Sequence, residues 1–214
     1  MIFRGFKRGF DIVSASLLFI VISPLLLFLM ILVRIKLGSP VFFKQERSGM
    51  HCKSFYIRKL RSMTDERDES GALLPDEKRL TKFGRFLRSS SLDELPELLS
   101  IIKGDMSVIG PRPLPPVYNS YFTEREMKRF DVRSGLIPPD SVDSSAIISW
   151  DEQLEYEADY AETLSLKKDL SIFLGVFKII FQRKYTDYGG FVRMPLNEER
   201  KKKMQVKCFD SANK

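Results

Sequence analysis

Any chemistry in this chain has to come from carboxylates, lysines and arginines. Its 214 residues include one histidine, His51, and two cysteines far apart, Cys52 and Cys208. That leaves no Cys/His zinc set and no histidine-based triad other than one built on His51. The thiols read as reduced and cytosol-facing. Three clusters remain. Arg58-Lys59-Leu60-Arg61 follows a predicted strand. The stretch from Arg85 to Pro96, RFLRSSSLDELP, carries Arg88 and then the adjacent acids Asp93 and Glu94. The stretch from Gly104 to Pro113, GDMSVIGPRP, holds Arg112 between Pro111 and Pro113.

Adjacent helical residues point roughly 100° apart, so Asp93 and Glu94 cannot share a proton as facing acids do. If both act, their tasks differ: one carboxylate attacks while the other holds a cation. The alternative is structural, because acids in a first helical turn offset the dipole and proline is tolerated there. The prolines around Arg112 restrict its backbone, and a guanidinium binds two phosphate oxygens at once. Against this stands an ordinary surface arginine on a proline-rich loop. Lys59 and Arg88, taken singly, fit a solvated face as well as a phosphate site.

The elements that must position these groups begin with a membrane segment. Ile12 to Val33 is a run of 22 residues without a charge. As a helix it spans roughly 33 Å, enough to cross a hydrocarbon core. It is too long for a secretory signal and lacks a small-residue cleavage site. A single-pass anchor is the plainest reading. However, Ser23-Pro24 interrupts the run, and proline removes a backbone donor and obstructs the carbonyl of Ile20. Basic residues stand on both flanks: Arg4, Lys7 and Arg8 before, Arg34 and Lys36 after. A crossing helix should show more asymmetry under the positive-inside rule, and the basic flanks fit a helix-break-helix that dips in and returns. Asp11 would then lie near the headgroups.

Val41–Gln45 and Ser54–Ile57 read as two short strands around a turn at Ser48–His51. Residues 64–80 are charged, contain Gly71 and Pro75, and read as a mobile surface loop. Apolar spacing from Leu80 through Ile102 predicts a packed helix ending at Gly104. With four prolines in nine positions, 109–117 can be neither regular helix nor central strand. Ser149 and Glu152 have capping-box spacing and should open a helix. A further helix is expected over 167–182, either lying on a bilayer or packed in a core. Beyond Asp187 the chain is poor in apolar residues and carries a basic cluster, Arg200 to Lys203, which suits a flexible tail touching anionic lipid.

Lys plus Arg number 35 against 28 Asp plus Glu, a net charge of +7, and apolar residues make up 43%. This balance excludes wholesale disorder and a polytopic membrane protein. It calls for an acidic partner: nucleic acid, anionic lipid or a phosphorylated substrate. Few aromatic residues interleave with the basic clusters and no nucleic-acid-binding motif is present, so nucleic acid is not the expected partner.

From Lys7 to Pro113 the chain resembles the bacterial sugar transferases, small monotopic polyprenyl-phosphate phosphoglycosyl transferases. The resemblance rests on Lys7-Arg8 and Asp11, Ser23-Pro24, the run from Gly38 to Arg47 (GSPVFFKQER), Lys59 to Met63 (KLRSM), Ser91 to Pro96 (SLDELP) and Gly104 to Pro113. It implies an α+β, mainly α fold, with a re-entrant membrane hairpin over 1–38. A cytoplasmic-face catalytic domain with a small β-hairpin and interfacial helices would occupy 39–186, and a basic tail 187–214. The implied reaction moves a phosphosugar from a UDP-sugar to polyprenyl phosphate at the bacterial inner membrane, releasing UMP, as the first step of a glycan pathway. Carried over by residue, Asp93 is the nucleophile, Glu94 a Mg²⁺ ligand, and Lys59, Arg88 and Arg112 contact phosphate. Ser23 and Pro24 form the membrane break, membrane lipids are partners, and interfacial helices could pair two copies.

Between 133 and 147 the sequence departs from the family's RPGITGWAQVNGRN: Ser134 replaces a proline, and the Gln and terminal Arg-Asn have no equivalent. Likeness resumes at Ser149-Trp150, at Glu157 (where the family usually has aspartate), at Tyr160, and at Ser165 with Asp169. The departure keeps a second reading open, a non-catalytic membrane-anchored relative that assists glycan assembly.

Overall fold

A long apolar helix opens the chain. In the computed structural model, which describes residues 2–142, 149–182 and 193–212 (side chains over 3–142, 149–176 and 193–204), helix α1 runs Ile2–Leu37. It is long and apolar enough to cross a membrane. The break expected at Ser23-Pro24 does not end the element: Pro24 lies inside α1. One reason is local. Proline at 24 deprives the Ile20 carbonyl of its usual donor, and Ser23 Oγ donates to that oxygen at 2.8 Å instead.

The molecule is mostly helical with two small sheets. Strands β1 (Phe42–Ser48) and β2 (Ser54–Leu60) form the expected hairpin, joined by a 3-10 turn at Met50–Cys52 in which His51 and Cys52 take left-handed φ of 57° and 58°. Short α2 (Asp76–Arg79) lies in the charged loop, which two isolated bridges, Met63 with Leu80 and Arg67 with Leu73, fold back on itself.

The expected helix from Leu80 to Gly104 is three pieces: α3 (Lys82–Ser89), a 3-10 turn at Leu92–Glu97, and α4 (Leu98–Lys103). The interruption has a sequence cause. Ser89 and Ser90 donate their hydroxyls to the carbonyl of Phe86, capping α3 from its own end, and Ser91 turns left-handed at φ 55°. Gly104 ends α4 as expected, at φ 103°.

By contact the chain divides into two units. One comprises Arg4–Glu46 and Tyr56–Asp105; the other comprises Met1–Phe3, Arg47–Phe55 and Met106–Lys214. The first is built on a stripe of α1, Leu26, Leu29, Val33 and Leu37, at helical spacing. It packs with Leu60 of β2 and Leu87 of α3, and Phe83, Leu92 and Leu95 close around it. At roughly 1.5–3 kcal/mol for each fully buried side chain, this stripe is the main attachment of α1 to the segment carrying Asp93. Arg8 adds a polar tie, donating to the carbonyls of Ile101 (2.6 Å) and Ile102 (3.0 Å) at the end of α4.

The second unit contains a sheet the sequence reading missed: β3 (Met106–Ile109) pairs in parallel with β4 (Ser134–Ile137). Directly after β3 the backbones of Gly110 and Gly135 touch, and a Cβ on Gly135 would stand 2.1 Å from the Gly110 nitrogen. Helix α5 (Trp150–Glu162) starts with the expected capping box, and α6 spans Leu166–Gln182. Residues 143–147 of the divergent segment lie outside the described residues.

Part of the C-terminal segment is helical. Helix α7 runs Leu196–Ala212, with Leu196 buried against Leu114, Trp150 and Leu154. Two of the basic residues expected at lipid are committed to protein carboxylates: Arg200 pairs with Glu126 and Asp151, and Lys203 with Asp151 and Glu199. Patterning concealed this because, among the described side chains, one buried leucine and a set of ion pairs attach the helix.

Candidate active site

Four of the five predicted site residues fall in the first unit, and three of them are brought together by the breaks just described. The left-handed Ser91 redirects the chain after α3, so Leu92 and Leu95 enter the α1 core while the peptide between them presents Asp93 and Glu94. On β2 the alternation of strand side chains does the matching work. Leu60 enters the same core, so its neighbour Lys59 points the other way, toward the acids.

Lys59 Nζ stands 2.6 Å from Glu94 Oε1 and 3.4 Å from Glu97 Oε1. The Lys59 and Glu94 side chains are partly exposed, at 26% and 33%, whereas Glu97 is buried. Asp93 is buried at 7% exposure. Burial pushes its carboxyl above the ordinary aspartate value; Lys59 pulls it down, Glu94 pushes it up, and Arg88 lowers it slightly. A carboxylate left short of solvation but steadied by a nearby ammonium is a competent nucleophile.

Arg88 reaches this field from α3, and its Nε donates to Ser62 Oγ at 2.9 Å. Arg61, from the same cluster as Lys59, has a different task. It is buried and donates to the carbonyls of Ser39 and Met63, both at 2.7 Å, tying the foot of the hairpin. Ser62 and Glu97 were not singled out in the sequence. Glu97 follows Asp93 by four, one helical turn, and that spacing was the available signal.

Arg112 belongs to the second unit. The residue is exposed while its main chain is held at both ends. The N–H donates to Glu157 Oε1 at 3.0 Å, and the carbonyl accepts from Arg129 Nη2. Arg129 and Glu157 are themselves a buried ion pair, 2.8 Å apart.

For a cation, the donor set is of the hard-oxygen kind. No group of three His, Cys, Asp or Glu side chains suited to a metal ion converges among the described residues. A protein cage is therefore not present there. A partly exposed Glu94 fits Mg²⁺, which keeps waters and commonly takes one or two carboxylates plus substrate oxygens.

A family model described as bacterial sugar transferase matches residues 2–183. The chain belongs to that family and is a transferase. Among curated relatives, it is 46% identical to the uncharacterized sugar transferase EpsL of Bacillus subtilis over 78% of this chain and 82% of that protein. A UDP-glucose:undecaprenyl-phosphate glucose-1-phosphate transferase of Caulobacter vibrioides is 35% identical, over 78% of this chain and 67% of its own length. A protein of the same name from Klebsiella pneumoniae is 36% identical, over 81% of this chain but only 40% of its own length.

Proposed function

We propose that this protein transfers a phosphosugar from a UDP-sugar to polyprenyl (undecaprenyl) phosphate, as the initiating step of a bacterial glycan pathway. The observation that carries the reading is the buried Asp93 beside the Lys59–Glu94 pair, in a chain belonging to the sugar transferase family. The names of the Caulobacter and Klebsiella relatives support the acceptor and the reaction class.

In the proposed mechanism an Asp93 carboxylate oxygen attacks the sugar-bearing phosphorus of the donor. The new O–P bond forms as the bond between the two phosphates breaks, and UMP departs with that bridging oxygen. An oxygen of polyprenyl phosphate then attacks the same phosphorus and the Asp93–O–P bond breaks. The products are polyprenyl-diphosphate-sugar and a regenerated carboxylate. Two displacements at one carboxylate let a water-soluble donor leave before a lipid acceptor arrives. Lys59 and Arg88 lower the repulsion between Asp93 and an anionic donor, and Arg112 offers a fork to phosphate. Glu94 would hold Mg²⁺, which when bound supplies charge neutralisation on phosphate oxygens.

The same reading places α1 as a re-entrant anchor and the catalytic residues at the cytoplasmic face of the inner membrane. Supporting the anchor, the α1 surface outside the core stripe is apolar and exposed: Leu17, Ile20, Val21, Leu27, Phe28 and Ile31. Leu166, Leu170 and Leu174 of α6 are exposed too, as a helix lying on lipid would present them.

The test is UMP release from a panel of UDP-sugars with Mg²⁺ and undecaprenyl phosphate, together with mass spectrometry of donor-treated, quenched protein. A phosphosugar adduct on Asp93 is expected; product accumulating without that adduct overturns the covalent route. Failure to label with any donor supports the non-catalytic assembly partner. For topology, cysteine labelling at the two ends of 12–33 should find both on one side, and opposite sides would exclude the re-entrant anchor.

A further inference from the structure

Beyond the extent of the family match, the chain returns to the base of the Arg112 loop. Arg193 lies ten residues past the last matched position. Its guanidinium stacks on the Trp150 ring, 3.7 Å from the centroid, and its Nη1 donates to Gln153 Oε1 at 2.8 Å. Gln153 passes the contact on: its Nε2 donates to Glu157 Oε1 at 3.1 Å, the same oxygen that accepts the Arg112 N–H at 3.0 Å. The next residue, Met194, accepts from Trp150 Nε1 at 2.9 Å, and buried Leu196 completes the attachment. Trp150, Gln153 and Glu157 lie at spacings of three and four along α5, so one helix face carries the whole series.

The arrangement is selective about what it fixes. Pro111 and Pro113 have no N–H, so Arg112 supplies the one main-chain donor of that tripeptide, and Glu157 takes it. A glutamine amide has one acceptor and one donor end, and here both are committed: Oε1 to Arg193 and Nε2 to Glu157. Removing Arg193 frees Gln153 to turn, and Glu157 Oε1 loses a donor that set its position. From the other side Arg129 holds Glu157 Oε2 and the Arg112 carbonyl. Asp140 carries charge of the opposite sign into the same surroundings, where it interacts with Arg112, Arg193 and Arg129.

We propose that Arg193, acting through Gln153 and Glu157, is a positioning residue that sets the main chain of Arg112 for the phosphate contact. The donor-phosphate role of Arg112 is that of the function proposed above, and the proposal rests on it.

The test uses the full-length protein in detergent or nanodiscs with Arg193→Ala and Gln153→Leu. Both leave the residues of the buried Arg129–Glu157 pair in place, since removing either partner of such a pair is strongly destabilising. Hydrogen-exchange mass spectrometry on a peptide covering 111–116 reports only the amides of Arg112 and Leu114, because the other four residues are proline. Exchange there should rise at least about ten-fold in either variant while the rest of α5 keeps its protection. The KM for the UDP-sugar should rise by about three- to ten-fold with a smaller change in kcat, and Arg193→Lys should not restore it, since an ammonium lacks the planar stack on Trp150. Unchanged exchange at 111–116 overturns the relay whatever happens to activity. So does a rise shared by all of α5, which marks general loosening. Faster exchange with unaltered KM overturns the positioning role of Arg193; the assignment of Arg112 to phosphate is read separately from Arg112→Ala, where an unchanged donor KM would overturn it.

Discussion

Lys59 Nζ lies 2.6 Å from Glu94 Oε1, and this contact joins the end of a strand to the turn that carries the buried Asp93. It gives Lys59 two effects at once: it pairs with Glu94, and it is the largest influence holding the Asp93 carboxyl down against burial.

Asp93→Asn should be inactive yet sturdier. Burial sets the folded carboxyl above its ordinary value of 3.8, so the folded state holds the proton more tightly than the unfolded state. Stability contributed by that proton is complete below 3.8 and declines as pH rises through the folded value. At neutral pH the buried charge is a cost that asparagine removes. UMP release should fall by at least about 10³-fold. The melting temperature at pH 7 should exceed that of the wild type, with the gap closing in acid. Turnover near wild type would remove Asp93 from the mechanism.

Lys59→Met should move the acid limb of the pH–rate profile to higher pH. Without the ammonium, Asp93 keeps the upward pressure of burial and of Glu94 and loses its main opposing charge. The carboxylate then appears only at higher pH, and kcat/KM near neutrality should drop by about 10² or more. A profile of unchanged shape would show that Lys59 does not tune Asp93.

Glu94→Gln should weaken the Mg²⁺ requirement's apparent affinity by at least about ten-fold while leaving the fold intact, since the side chain is one-third exposed. A Mg²⁺ titration of UMP release reads this directly. Equal half-saturation in the two proteins would exclude Glu94 as the ligand.

Gly135→Ala should destabilise the second unit by about 3 kcal/mol or more, because its new Cβ would meet Gly110 backbone atoms at 2.1 to 2.6 Å. Gly110 directly precedes Pro111 and Arg112, so loss of the β3–β4 pairing should also raise the donor KM. Denaturant melts compared with wild type measure the first effect; a midpoint equal to wild type would show that the strands can separate without penalty.

Patterning alone exposed the long apolar helix, the hairpin strands, the Gly104 stop and the capping box at Ser149, because each depends on residues close in sequence. It missed the break at Ser91, since apolar spacing runs through that point and only the three serines hint that α3 caps itself there. It also missed the parallel β3–β4 pair. These strands are four residues each and separated by 24 residues, and what admits their approach is two glycines that a local reading sees only as turns.

Residue types and motif order were enough to place the chain in the sugar transferase family and to frame the carboxylate-and-cation chemistry proposed for it, because the acids, basic residues and proline-flanked arginine are displayed in the chain itself. The tertiary structure decided which acid is buried, which lysine meets it, and that a C-terminal arginine stacks on Trp150 and bonds to Gln153 of α5. Desolvation and charge pairing depend on neighbours brought in by folding, and those distances are not written in the linear order of residues.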